Sequence, residues 1–351
     1  MSFFGKKILK FNRSRKTDIP SGLWDKCPQC SEMLYKQEME DAFGVCTHCE
    51  HHFSLPRAER IRLLADEDSF EEWDDNLTSV DTLGFTGAAS YVSKLEQNIE
   101  KTGYKDAIST GKARMGGYPI GLGVMDFKFL GASMGAVVGE KVTRMIERST
   151  EQEMPVILVC ASGGARMYEG LYSLMQMGKT SGALARHADA GLPYIPVLTH
   201  PTMAGVMASF ATLGDVIVAE PKSLIGFAGP RVIKETTLRD LPEGFQTSEF
   251  LLKHGLIDIV SHRHELKGRL VDLINYFMPE NTPTQTTVDG LTGIQEVDRA
   301  SAPAESTEDA ESETKPKAKD SAKSRSKAQS KSSSRKKATP KKSDSDNEEA
   351  E

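Results

Sequence analysis

The stretch Pro155–Gly170, PVILVCASGGARMYEG, decides the fold. Pro155–Ala161 is an unbroken apolar run. A strand with one wet face would alternate, so this pattern predicts a strand buried on both faces, as in a parallel sheet covered by helices. Ser162-Gly163-Gly164-Ala165-Arg166 follows, and a helical pattern then runs over Gly170–Ala190. Glycine lets the backbone turn sharply and lets a ligand approach it closely. Amides at a helix start point outward, unpaired, from a partly positive end. Such a turn can hold an oxyanion. A plain tight strand–helix turn of an α/β protein gives the same sequence pattern.

Outward from this turn, strands are expected at Tyr118–Asp126, Tyr194–Thr199, Asp215–Ala219 and Leu256–Val260. Helices are expected at Met134–Gln152, Met203–Leu213, Ser248–His254 and Glu265–Phe277. Repeated β-then-α order predicts an α/β domain with a covered sheet. Two more strand ends carry small residues, HPTMAGV at His200–Val206 and IGFAGPR at Ile225–Arg231, with Pro230 at a first helical position. Three such turns at one sheet edge would build a pocket lined by backbone, suited to an enolate or a thioester carbonyl. Other chemistries fit poorly. A nucleophile elbow needs glycine where Cys160 stands. Gly178-Lys179-Thr180 resembles the end of a P-loop but lacks its first glycine and falls inside a predicted helix. Cys160 itself, inside the apolar strand, reads as a small core residue rather than a nucleophile.

The cysteines point elsewhere. Four of the five are spaced Cys27-x2-Cys30-x15-Cys46-x2-Cys49. Each Cys-x-x-Cys can form a knuckle aiming two thiolates at one point, and two facing knuckles make a closed tetrahedral site for structural zinc. Free or redox-active cysteines are the alternative. His48, His51 and His52 are exposed or supporting neighbours, because four sulfurs already complete the site.

Composition sets the boundaries. The chain has 351 residues and a net charge of −6, which excludes a globally basic nucleic-acid binder. Residues 301–351 contain no Leu, Ile, Val, Phe, Trp or Tyr, so they cannot form a core. Four segments are expected: a basic flexible leader at 1–21, a zinc ribbon at 22–56, an α/β domain at 57–285 and a disordered charged tail at 286–351. Within the tail, 315–342 carries 12 Lys and Arg against one Asp. With the basic leader, it leaves nucleic-acid binding open as a side activity. No apolar run spans a bilayer and no secretory h-region is visible, so a cytoplasmic protein without membrane insertion is expected.

The strings ASGGARM (161–167), SLMQM (173–177), Pro201-Thr202-Met203, AEPK (219–222) and GFAGPRVI (226–233), in this order behind the four cysteines, closely resemble the carboxyltransferase β subunit family of multisubunit acetyl-CoA carboxylase. The resemblance spans roughly 22–280. It implies a crotonase-like ββα superhelix, where the strand–helix alternation alone also fits a doubly wound sheet. It implies carboxyl transfer from carboxybiotin on a carrier protein to acetyl-CoA, giving malonyl-CoA for fatty acid synthesis. It implies one structural zinc, and biotin on the carrier. The implied partners are an α subunit completing the active site in an α2β2 assembly, the biotin carboxyl carrier protein, and biotin carboxylase in the larger ATP-dependent complex. By resemblance, Gly163 and Gly164 are the backbone oxyanion donors. Arg166, Gly205, Phe227, Ala228, Gly229 and Arg231 are the candidate substrate contacts. Ala204 departs from the glycine that family members often carry. A carboxylase or decarboxylase acting on another acyl-CoA is the runner-up.

Overall fold

The computed structural model describes residues 23–279. The leader (1–21) and the whole of the tail (286–351) therefore lie outside the described residues, as do the expectations made for them.

The N-terminal ribbon is an antiparallel hairpin, β1 (Trp24–Lys26) and β2 (Met33–Tyr35), followed by α1 (Lys36–Asp41). The rest is built on one sheet. Its elements in order are α2 (Arg57–Leu64), β3 (Glu71–Trp73), α3 (Tyr91–Thr102), β4 (Ile108–Met115), β5 (Tyr118–Met125), α4 (Ala136–Glu151), β6 (Val156–Ser162), α5 (Leu171–Asp189), β7 (Tyr194–Met203), α6 (Ala204–Met207), β8 (Val218–Ala219), β9 (Ile225–Gly226), α7 (Pro230–Thr237), α8 (Ser248–Lys253), β10 (Ile259–Val260) and α9 (Arg263–Phe277). Strand order is β10-β8-β7-β6-β5-β4-β3, with β9 also on β7. The β3–β4–β5 part is antiparallel and the remainder parallel. Together β4, β5 and α4 form a ββα unit.

The apolar run in β6 has the predicted cause. Val156, Leu158 and Cys160 enter one core with Val138, Val142 and Met145 of α4 and Leu184 of α5. Ile157 and Val159 point the other way, into a second core with Leu64 of α2 and Leu266, Leu270 and Ile274 of α9. Both faces of the strand are dry, so no alternation survives.

Four expectations need correction. The strand from Tyr194 runs on to Met203, because Thr202 and Met203 pair with Ile225 and Gly226 of β9. The helix expected at Met203–Leu213 is only α6 plus a 3-10 turn at Phe210–Thr212; the Ser209 hydroxyl donates to the Gly205 carbonyl at the break. The strands of 215–219 and 256–260 shrink to two residues each. Most consequential, no helix follows the Gly163-Gly164 turn directly. A 3-10 turn, Met167–Glu169, intervenes before α5. The helix dipole therefore does not act at these glycines, since its influence fades beyond the first turn.

Candidate functional site

The metal site is assembled by two knuckles of the same design. In the first, the Cys27 amide donates to the Glu32 carbonyl and the Ser31 amide to the Cys27 carbonyl. In the second, Cys46 donates to His51 and Glu50 to Cys46 in the same pattern. Ser31 and Glu50 both take positive φ, 66° and 57°, to close their turns. All four Sγ atoms lie within 4.8 Å of one another. The Cys27–Cys49 and Cys30–Cys46 separations are 3.7 and 3.8 Å. A tetrahedron with Zn–S near ~2.3 Å has edges of about 3.8 Å, so the donor set fits zinc with no position left for a substrate.

The three strand-end turns do gather at one edge. Ser162 pairs with Thr202, and Met203 with Gly226. The Ala204 amide donates to the Phe227 carbonyl at 3.1 Å. The Thr199 and Thr202 hydroxyls both donate to the Cys160 carbonyl at 2.9 Å, tying β7 to the base of the first turn.

The amides at this edge are distributed differently from the expectation. Gly163 N–H donates to the Gly131 carbonyl at 2.8 Å. Gly164 N–H donates to Ser162 Oγ at 3.0 Å, whose own proton goes to the Ala132 carbonyl. Both expected oxyanion donors are thus engaged within the chain. The amides of Ala165 and Gly205 have no acceptor among the described residues. These two residues lie side by side: a methyl on Gly205 would stand 3.5 Å from the Ala165 nitrogen. Gly164 makes this approach feasible. Its φ is +119°, and a side chain there would meet Ala204 Cβ at 2.6 Å.

Ala204 carries visible strain, with φ at 49°. A left-handed L-residue costs about 1–2 kcal/mol, against about 0.5–1 kcal/mol of extra chain entropy for glycine. Ala204→Gly is therefore expected to raise stability by about 0.5–1 kcal/mol, an increase of about 1–3 °C in Tm by calorimetry. An unchanged or lower Tm would remove the strain argument.

Arg166 is corrected outright as a substrate contact. Its side chain is fully buried. Nη2 and Nη1 form a two-point pair with Asp106 at 2.7 and 3.1 Å. The remaining donors reach Ser133, Ser79, Tyr91 and Glu169. Glu169 in turn accepts the Ala136 amide at the start of α4. Arg166 therefore fixes the turn from behind. Phe227, Ala228 and Gly229 do line the edge, and Gln246 Nε2 donates to the Ala228 carbonyl at 2.9 Å. Arg231 instead lies out on α7, paired with Glu235 at the surface.

Sequence reading missed several groups. Ala165 was passed over because nothing in a sequence tells which amide finds an acceptor. Arg60, Glu220 and Arg263 form a buried charge cluster; a lone glutamate ending the apolar run IVAE was its only signal. Beside the turn, Met167, Leu171, Tyr172, Leu174 and Met175 leave a broad apolar face exposed. Among the described residues, no helix is long and apolar enough to cross a membrane.

The covered mixed sheet and its amide-lined edge fall within residues 55–314, which match the carboxyl transferase domain family. Residues 24–49 match the acetyl-CoA carboxylase zinc finger domain. The chain is 56% identical over 261 residues to the acetyl-coenzyme A carboxylase carboxyl transferase subunit beta of Methylacidiphilum infernorum, covering 74% of this chain and 94% of the relative. The same subunit of Prochlorococcus marinus strain NATL1A is 49% identical over 273 residues, 78% of this chain and 93% of that one. Among solved structures, the transcarboxylase 12S core with methylmalonyl-coenzyme A and methylmalonic acid bound superposes with a TM-score of 0.55 at 25% identity. That match covers 64% of this chain and 41% of the other. A Pseudomonas malonate decarboxylase hetero-tetramer shares the fold alone, with a TM-score of 0.51 at 21% identity over 64% of this chain and 82% of that one. The chain belongs to the acetyl-coenzyme A carboxylase carboxyl transferase subunit beta family.

Proposed function

We propose that this chain supplies one half of the site that moves a carboxyl group from carboxybiotin on its carrier protein to acetyl-CoA, giving malonyl-CoA. The supporting observation is the neighbouring pair of unengaged amides, Ala165 and Gly205. When the acetyl methyl loses its proton, negative charge develops on the thioester oxygen. Two fixed N–H groups at that oxygen stabilise the enolate before it attacks the CO2 released when the N–C bond of carboxybiotin breaks and leaves the ureido anion. Losing one such donor costs about 3–4 kcal/mol of transition-state stabilisation. Gly163 and Gly164 then serve as the frame of the turn, and Gly205 as a donor. Phe227, Ala228 and Gly229 are the proposed acyl-CoA contacts.

The proton from the acetyl methyl is taken by the biotin ureido nitrogen left when the carboxyl group departs. The exposed apolar face around Tyr172 is the proposed seat of the α subunit, whose related domain would complete the site. The α2β2 assembly, contact with the carrier and biotin carboxylase, and a cytoplasmic location belong to the same proposal. The structural zinc takes no chemical part, because its four ligands close the coordination sphere.

The test is malonyl-CoA formation by the chain assembled with its α subunit and biotinylated carrier. Gly205→Val places a side chain against the Ala165 amide, and kcat should fall by about 10²–10³-fold, the usual effect of losing an oxyanion donor. Gly163→Ala meets only the Gly131 carbonyl, at 3.5 Å, and should stay within a few-fold of wild type. A folded Gly205→Val assembly with wild-type kcat would refute the donor assignment.

A further inference from the structure

Glu220, just past β8, is buried, and its carboxylate accepts from Arg60 and Arg263 rather than from the turn cluster. It gathers charge from two helices. Arg60 of α2 and Arg263 of α9 each pair with both carboxylate oxygens, Arg263 at 2.7 and 2.6 Å. Two buried cations on one anion are costly to hold, and apolar residues of similar volume would pack the same space more cheaply. His52 of the ribbon also lies beside Glu220. It is buried, Nδ1 lies 3.7 Å from Glu220, and neither ring nitrogen has a hydrogen-bond partner among the described residues. A small cavity lined by His52, Arg60, Thr199, His200, Glu220 and Arg263 separates the ribbon from the strand ends.

Arg263 also faces the other way. Nη1 donates to the Phe43 and Gly44 carbonyls at 2.7 and 3.2 Å, and Nη2 to the Phe53 carbonyl at 3.0 Å. One guanidinium therefore neutralises Glu220 and grips the ribbon backbone at three points. From Glu220 the links continue through main chain. Its amide donates to the Leu198 carbonyl of β7, and its carbonyl accepts Ser248 Oγ. Ser248 Oγ also accepts the Ser223 amide. The Leu224 amide donates to His200 Nδ1 at 3.2 Å, and the Leu224 carbonyl accepts the Thr202 amide at 2.9 Å. Thr202 stands two residues before the strained Ala204 and three before Gly205.

We infer that Arg263 and Glu220 are positioning residues that fasten the Thr202–Gly205 bend to the zinc ribbon. The transferase edge then holds its working geometry only while the ribbon is folded and seated. This deepens the proposed function, since it rests on the reading of Gly205 as a donor. It also gives the closed metal site a role in turnover without contact with substrate.

Arg263→Lys, in the chain assembled with its α subunit, tests this. A lysine keeps a charge beside Glu220 but cannot span to three ribbon carbonyls. Zinc content should stay at wild-type level. Amide exchange over residues 202–206, read by mass spectrometry, should quicken by about tenfold or more as local opening becomes easier. Because a displaced donor acts on the transition state, kcat should fall about tenfold with KM for acetyl-CoA unchanged. Arg60→Lys keeps a cation beside Glu220, leaves the two-point Arg263–Glu220 pair in place and does not touch the ribbon, so it should leave exchange over 202–206 at the wild-type rate.

Unchanged exchange over 202–206 in Arg263→Lys would overturn the inference, as would faster exchange with wild-type kcat. Equal acceleration in Arg60→Lys would do so too, because the ribbon would then be irrelevant. If Arg263→Lys fails to assemble, wild-type assembly stripped of zinc takes its place, and unaltered exchange over 202–206 there is equally fatal. Failure of the donor reading is seen separately, in an active Gly205→Val assembly whose 202–206 exchange still responds to Arg263→Lys.

Discussion

Removing the metal with a chelator is expected to unfold the ribbon, residues 24–53, while the eight-stranded sheet stays folded. The ribbon's buried cluster is Cys27, Leu34 and Cys46, with Cys30, Met39, Cys49 and Phe53 packed against it. Four of these seven residues are the ligands themselves, so little apolar burial remains to offset chain entropy. Structural zinc supplies about 10–16 kcal/mol in sites of this kind. Without a cation the thiols compete. Burial raises Cys27, but the Cys30 and Gln29 amides outweigh it and bring it to about 7. Burial and the neighbouring sulfurs push Cys49 up to about 12. Metal binding must therefore displace protons, and affinity falls as pH falls. Hydrogen exchange at Ser31, Glu32, Glu50 and His51, followed with zinc content, reads the outcome. Protection that persists after full zinc loss would show that the ribbon folds on its own.

The second large effect concerns Arg166. Arg166→Met leaves Asp106 and Glu169 buried without their cation, and breaking a buried pair this way costs about 3–5 kcal/mol. The sign of the pH dependence follows. Burial alone would raise Asp106, but the adjacent Arg166 guanidinium holds its carboxyl below the ordinary carboxylate range. In the wild type Asp106 therefore contributes stability at neutral pH, and this is lost as pH falls through the acid range. In the variant burial acts unopposed, and Asp106 takes up a proton more readily. The gap between the two proteins should narrow from pH 7 toward pH 4, as read by urea unfolding. Asp106→Asn combined with Arg166→Met should recover part of the loss, because the uncompensated charge is gone. A single variant within about 1 kcal/mol of wild type would mean that Arg166 is not the anchor of the turn.

What was legible in the sequence was local. PVILVCA reads as a strand dry on both faces because such a strand must be apolar throughout. The four cysteines read as a closed tetrahedral site because each knuckle fits within six residues. Pro230 does start α7. The segment before β5 was not legible. There α2 and α3 flank β3, which is three residues long, and β4 mixes polar with apolar residues although it is buried along most of its length. The two-residue strands β8 and β10 are defined by pairing alone, β8 on β7 and β10 on β8 at the sheet's edge.

Arg166 shows where sequence reading stops. In a glycine-rich turn, an arginine that binds a substrate anion and one that binds a buried aspartate look alike. Its partners Ser79, Tyr91 and Asp106 lie 87, 75 and 60 residues away. The same limit applied to the donors. Gly163 and Gly164 allow the turn, but Gly131 and Ser162 take their amides and leave Ala165 open.

The sequence by itself determined the metal ligands, the buried strand, the family and the three small-residue turns. The ligands, the strand and the turns are each set within a few residues by spacing or by apolar continuity, and the family by strings spread over 22–280. Only the tertiary structure decided which amides stay free, which charges are interior and how the ribbon is held. Those outcomes depend on acceptors and counter-charges brought in from distant segments by the strand crossovers, and no local pattern encodes them.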